Sequence, residues 1–160
     1  MGKLTHVNSD GKVVMVDVGD KPPTQRLASG SVEVHLNQEA FEAAKKGSSA
    51  KGDILCAAKL AGIQAAKRTS ELIPLCHQIP LDHVEIEIKL IEDTNVLLIS
   101  SIVKSTHRTG VEMEALTACS VAALTVYDML KAVQRDIKIT NLVLQKKQGG
   151  LRGDYVRQES

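Results

Sequence analysis

The sequence predicts an α+β fold of ferredoxin-like type: one antiparallel sheet with helices packed on one face and an extra helix in the first crossover. Three observations predict it. Apolar residues alternate with period two in segments of strand length, and apolar stripes of helical period lie between them. A short polar turn, Asp93-Thr94-Asn95, joins two strand segments into a hairpin. The resulting order is β-α-α-β-β-α-β, a split βαβ unit repeated around that hairpin. A chain of 160 residues is long enough to bury a core as one domain.

Residues 1–23 are polar and read as an irregular arm. Gly11, Gly19 and Lys21-Pro22-Pro23 break any regular element, while Val13 to Val18 is apolar enough to dock. The single α+β domain is expected over 24–147. From Gln25 to Leu36, Ala28, Gly30, Val32, Val34 and Leu36 alternate with Ser29, Ser31, Glu33 and His35, which is a strand with one face on a core. Arg26 falls on the core-side face near the strand's start and is expected to meet a cleft.

Asn37 caps a short helix, Gln38 to Lys46, which Gly47 ends. The next helix starts near Asp53 and runs to about Ser70. Ile54, Leu55, Ala57, Ala58, Ala61, Ala65 and Ala66 give it a small-residue face suited to close packing. Pro74 and Pro80 make Leu72 to Leu81 a stiff loop. Val84, Ile86, Ile88 and Leu90 then mark one arm of the hairpin, and Val96 to Lys104 the other. A long helix from Glu112 to about Val133 and a strand from Ile137 to about Gln145 complete the domain. Residues 148–160 read as a flexible tail, glycine-rich and basic.

Composition narrows the function. Hydrophobic residues are 43% and charged residues 24%, the balance of a folded globular chain. Aromatics are only 2%, with one Phe, two Tyr and no Trp, which argues against modules that stack bases on aromatic rings. The net charge of +1 argues against a globally basic nucleic-acid surface but leaves room for a local basic pocket. The three cysteines lack CxxC spacing, so neither a disulfide framework nor a zinc ribbon is expected, and a reducing cytoplasm is. The N-terminus has no apolar signal core and no run approaches ~18 apolar residues, so no membrane partner is expected.

Polar residues interrupt the pattern at element ends. Leu75-Cys76-His77 lies between two prolines. A rigid loop holds a histidine ring in one orientation for proton transfer, although a hydrogen-bonded loop histidine beside a buried structural cysteine is the simpler reading of the residues alone. Glu112 and Glu114 open the long helix; the helix dipole favours them there, and a polar ligand at an exposed helix end would also explain them. Asp128 and Lys131 share a helix face. They are either a surface ion pair or, with burial and coupling, an acid and a base. Lys51 before a helix and Lys147 beside Gly149-Gly150 can wrap phosphate oxygens, with backbone amides assisting. No P-loop is present.

Four segments in this order, KGDILCAAKLAGIQAAKRTSEL (51–72), LIPLCHQIPL (72–81), TGVEMEALTACSVAALTVYDMLKAV (109–133) and KKQGG (146–150), closely resemble the cyclic pyranopterin monophosphate synthases of molybdenum cofactor biosynthesis. The resemblance runs from Met15 onward. It implies a lyase that converts 3′,8-cyclo-7,8-dihydro-GTP to cyclic pyranopterin monophosphate and releases pyrophosphate. It implies Asp128 and Lys131 as the acid/base pair and Lys51 as a further catalytic lysine. Leu75, Cys76, His77, Glu112, Met113 and Glu114 then bind substrate, and Arg26, Lys67 and Lys147 are basic pocket residues. The family forms a homohexamer, a trimer of dimers with pockets between subunits. No cofactor is required and no metal site is implied; Mg2+ can accompany the phosphates, though no compact ligand motif calls for it.

The chain departs from the family's tail, Lys-Ser-Gly-Gly-Lys-Ser-Gly, at Gln148, Leu151 and Arg152, while Lys147 and Gly149-Gly150 are kept. Gln78 stands where the loop often has another proline, and Leu130 where a cysteine is frequent. Two other readings compete. A non-catalytic nucleotide-binding or regulatory module would need the basic residues but not the Asp128–Lys131 pair. A ferredoxin-like RNA-binding domain would need strand aromatics and a basic face, which this chain lacks.

Overall fold

The strands and helices follow from the apolar pattern, with their ends set by specific hydrogen bonds. The structure is a computed structural model that describes residues 6–47, 52–150 and 153–158. The elements are β1 (Thr24–His35), α1 (Gln38–Lys45), α2 (Ile54–Lys67), α3 (Thr69–Leu72), β2 (His83–Ile91), β3 (Val96–His107), α4 (Glu112–Leu130), β4 (Lys138–Gln148) and β5 (Tyr155–Val156). The sheet order is β2-β3-β1-β4-β5, and every neighbouring pair is antiparallel. Its first four strands have the ferredoxin-like arrangement.

The even positions of β1 are buried as the alternation predicts: Ala28, Val32 and Val34 lie in the core. They meet Leu97, Ile99 and Val103 of β3 and, from the helices, Ala118, Ala122 and Val126 of α4. The single phenylalanine, Phe41, is spent in this core, 1% exposed. Aliphatic side chains and alanines therefore supply nearly all the apolar burial that drives folding.

Asn37 caps α1 by accepting from the Ala40 amide at 2.8 Å. Asp53 caps α2 by accepting from the Cys56 amide at 3.0 Å. The helix expected to run to Ser70 breaks at Arg68. There the Thr69 hydroxyl donates to the carbonyls of Ala65 and Ala66, at 3.3 and 3.0 Å, and so competes with the helical ladder. α3 follows as a separate short turn. The long helix ends at Leu130, not Val133: the Val133 amide bonds the Leu130 carbonyl three residues back, which tightens the ladder into a turn. β3 and β4 outrun their expected ends because β1 offers partners as far as Thr24 and Leu27. β5, absent from the sequence reading, pairs Tyr155 and Val156 with β4.

α4 is long and apolar enough to cross a membrane by length and composition alone. Half of it is buried inside the fold, the pattern of a core helix. Its approach to α2 depends on Gly62, which the sequence reading left out of the packing face. A Cβ at Gly62 would lie 3.0 Å from the Ala118 carbonyl oxygen and 3.3 Å from the Ala122 Cβ. Gly62→Val is therefore expected to destabilise the fold by roughly 2–4 kcal/mol through overpacking of a backbone contact. Urea unfolding measures this, and a loss below ~1 kcal/mol would mean that the two helices can separate freely.

Candidate active site

One end of the sheet opens into a cleft of about 580 Å³. Arg26 enters it from the start of β1, and Leu75, Cys76, His77 and Ile79 from the stiff loop before β2. Arg108, Thr109 and Gly110 form the turn that leads into α4, whose first turn adds Glu112, Met113 and Glu114. Lys147, Gly149 and Gly150 come from the end of β4. The N-terminal arm closes one wall with His6, Val16, Val18, Lys21 and Pro22. Four segments distant in sequence therefore meet here, since the arm runs directly into β1.

Hydrogen bonds fix the pieces. Arg26 Nε donates to the His107 carbonyl at 3.1 Å and its Nη2 to the Arg108 carbonyl at 3.2 Å. The guanidinium thus ties β1 to the turn before α4. His77 Nε2 lies 2.8 Å from the Val16 carbonyl oxygen. A carbonyl only accepts, so Nε2 carries hydrogen, and Nδ1 is the ring atom left to exchange a proton. Lys147 Nζ pairs with Glu112 Oε1 at 3.1 Å across the cleft.

Charge is unevenly distributed. Lys21, Arg26, Arg108 and Lys147 crowd one cleft of a chain whose net charge is only +1. Glu114 is 3% exposed, and burial, with a further contribution from Glu112, pushes its carboxyl up to about 7. Burial and the nearby Glu114 also raise the Cys76 thiol, which keeps it protonated and a poor nucleophile. Among the described residues no group of three or more His, Cys, Asp or Glu gathers as a metal-binding set.

Asp128 and Lys131 do not reach this cleft. They form an i,i+3 ion pair at 2.7 Å, with side chains 53% and 52% exposed. Glu112 and Asp128 are separated by most of α4, which at 1.5 Å per residue puts them about 24 Å apart along the helix. Lys67 is exposed at the end of α2 and is not among the cleft-lining residues. Lys51 lies outside the described residues, as do Leu151 and Arg152.

The sequence pattern of the MoaC family matches residues 15–150. The chain belongs to the MoaC family. It is 50% identical over 159 residues to the cyclic pyranopterin monophosphate synthase of Thermomicrobium roseum, covering 99% of this chain and 96% of that protein. It is 51% identical over 152 residues to the synthase of the same name from Herpetosiphon aurantiacus, covering 95% and 93%. Molybdenum cofactor biosynthesis protein 1 of Mus musculus is 51% identical over 155 residues, covering 97% of this chain but 24% of that longer protein. These relatives put the MoaC chain among the enzymes of molybdenum cofactor biosynthesis.

In this MoaC cleft the sequence reading missed His6, Lys21, Arg108, Thr109 and Gly110 as wall residues. Lys21-Pro22-Pro23 was the available signal, a cation on a segment too stiff to wander. Glu114 offers a direct test of the cleft's electrostatics. Its native carboxyl holds a proton to about 7 against an ordinary 4.5, so the folded state binds more protons than the unfolded chain between those values. Stability contributed by that proton is lost as pH rises through this window. Glu114→Gln is expected to match wild type near pH 4.5 and to exceed it above pH 7.5 by roughly 2–3 kcal/mol. Denaturant unfolding across this range reads the difference, and equal stability at both ends would put the carboxyl in contact with water.

Proposed function

We propose that this chain converts 3′,8-cyclo-7,8-dihydro-GTP to cyclic pyranopterin monophosphate and releases pyrophosphate. The observation that carries this reading is the gathering of Lys21, Arg26, Arg108 and Lys147 beside His77, Glu112 and Glu114 in one cleft of a MoaC-family chain. A substrate hydroxyl attacks the α-phosphorus, the bond to the β-phosphate oxygen breaks, and pyrophosphate leaves on the cations. Those cations stabilise the charge that grows on the leaving group. Holding the triphosphate also fixes the attacking oxygen in line, which replaces much of the entropic barrier.

Opening and rebuilding the purine-derived ring requires proton transfers, for which Asp128, Lys131 and Lys51 are the acid and base groups. As a half-exposed pair, Asp128 holds Lys131 protonated: their hydrogen bond raises the ammonium above its ordinary value. The pair must therefore be covered before either group is tuned for transfer. Leu124, one turn before Asp128 on the same helix, is 58% exposed, and Leu60 on α2 is 63% exposed. This apolar surface supports a second copy of the chain as the cover. Each pocket then takes the phosphate cleft from one subunit and the Asp128–Lys131 pair from another, within a homohexamer built as a trimer of dimers.

The reaction needs no resident cofactor in this scheme, and Mg2+ enters only as a counterion of the phosphates. Cys56, Cys76 and Cys119 are free, which suits a cytoplasmic enzyme. The test is turnover of the cyclised GTP derivative, with detection of both the pterin product and pyrophosphate. Absence of product, under conditions where a known synthase turns over, would overturn the assignment.

A further inference from the structure

His107 ends β3 opposite Thr24 of β1. Strand alternation puts it on the same face as the buried Ser101, Val103 and Ser105, the face that carries the helices and the cleft. Its backbone is tied to the anion pocket, since its carbonyl accepts from Arg26. Its Nδ1 is buried and has no hydrogen-bond partner among the described residues. The functional reading above does not use this imidazole.

The charges around it come from every element that meets there, the N-terminal arm adding Lys21 and His6 to the cleft. β1 brings Arg26, the loop before β2 brings His77, and the turn into α4 brings Arg108. The first turn of α4 brings Glu112 and Glu114 to the cleft, but Lys147 of β4 already pairs with Glu112. Burial first, then His77, Arg108 and Arg26, hold the His107 imidazole below its ordinary value. It is therefore neutral at neutral pH while the cleft holds no anion.

We propose that His107 is a further positioning residue of the anion site, taking up a proton when a polyphosphate enters the cleft and adding its charge to the cations that hold it. This rests on the reading of the cleft as a polyphosphate pocket. An entering anion reverses the local field. It neutralises Arg26 and Arg108, the neighbours that disfavour an imidazolium, and attracts the new charge itself. His107 is not itself among the cleft-lining residues, so its added charge acts from behind the wall that Arg26 and Arg108 form. The proton comes from solvent, and no bond of the ligand breaks.

The sign follows from linkage. Proton uptake occurs at pH values between the midpoints of the empty and occupied states, and binding weakens as pH rises through that window. Above it, His107 is neutral in both states and contributes no charge. The experiment is isothermal titration calorimetry of the full chain with inorganic pyrophosphate, in buffers of different ionisation heat, for wild type, His107→Asn and His107→Gln. The ligand's own titration is common to all three proteins.

Wild type is expected to take up more protons than either variant at pH 6.5 and to bind roughly tenfold tighter there, the equivalent of one unit in the imidazole midpoint. The three should converge near pH 9. Circular dichroism verifies folding, and two variants of different length guard against one that misfolds. Equal proton uptake by all three, or a loss of affinity that is the same at both pH values, would overturn the proposal while leaving the pocket intact. Failure of wild type to bind pyrophosphate would overturn the polyphosphate reading and this inference with it.

Discussion

Asp128→Asn is expected to lower kcat by roughly 10²–10⁴-fold, the range for removing a group that transfers protons in the transition state. The folding stability of the single chain should barely move, because within it a half-exposed i,i+3 pair contributes only about 0.2–1 kcal/mol. The Asp128 and Lys131 side chains are 53% and 52% exposed, and neither residue belongs to the buried core. Lys131→Ala should show the same contrast. Steady-state formation of the pterin product, set beside a denaturant midpoint for each variant, separates the two effects. Near-wild-type turnover would remove the pair from the reaction, and a loss fully accounted for by unfolding would remove the chemical role.

The same variant can be made to report where its partners lie. His77 lines the cleft at the start of α4, whereas Asp128 sits near that helix's other end. If one chain supplied both, an equimolar mixture of Asp128→Asn and His77→Ala, unfolded and reassembled together, would recover nothing. If two chains supply them, random assembly of a symmetric oligomer should restore about a quarter of the wild-type sites. The expected outcome is that recovery. It needs no assumption about the order of proton transfers.

Much of the architecture could be read directly from the residues because local chemistry decides it. The alternation in β1, the Asn37 and Asp53 caps and the two prolines around Cys76 each act within a few residues. What could not be read depends on contacts across the fold. The break after α2 needs the Thr69 hydroxyl to reach two carbonyls, which a helical apolar pattern does not reveal. Gly62 looks like a defect in a helix until Ala118 is seen behind it. Resemblance named Asp128, His77 and Glu114 as one site, yet within one chain α4 keeps Asp128 apart from the other two. Lys21 and His6 belong to an arm with no periodic pattern; the stiff Lys21-Pro22-Pro23 was a signal for the first, and His6 had no sequence signature.

The close of β4 carries the other large effect. Gly149 and Gly150 have φ of +88° and +90°, in the region that L side chains rarely adopt. A Cβ at Gly149 would strike the Gln25 carbonyl oxygen, a backbone atom of β1. A Cβ at Gly150 would strike Arg26 Nη1 instead. The two substitutions should therefore fail differently. Gly149→Ala forces two strands apart and is expected to cost roughly 2–4 kcal/mol of stability. Gly150→Ala displaces a side chain, and Arg26 must give up its bonds to the His107 and Arg108 carbonyls to make room. That should weaken pyrophosphate binding by about 10–100-fold, the loss of a charge-assisted contact, with a smaller loss of stability. Gly153, at φ +72° with no described atom within 4 Å of an added Cβ, separates strain from collision. Gly153→Ala should cost only about 1–2 kcal/mol, and leave pyrophosphate affinity unchanged. Denaturant unfolding and calorimetry on the three variants read both quantities. Equal effects at all three positions would mean that backbone strain alone governs this turn, and that contact with Gln25 and Arg26 has no part in shaping the cleft.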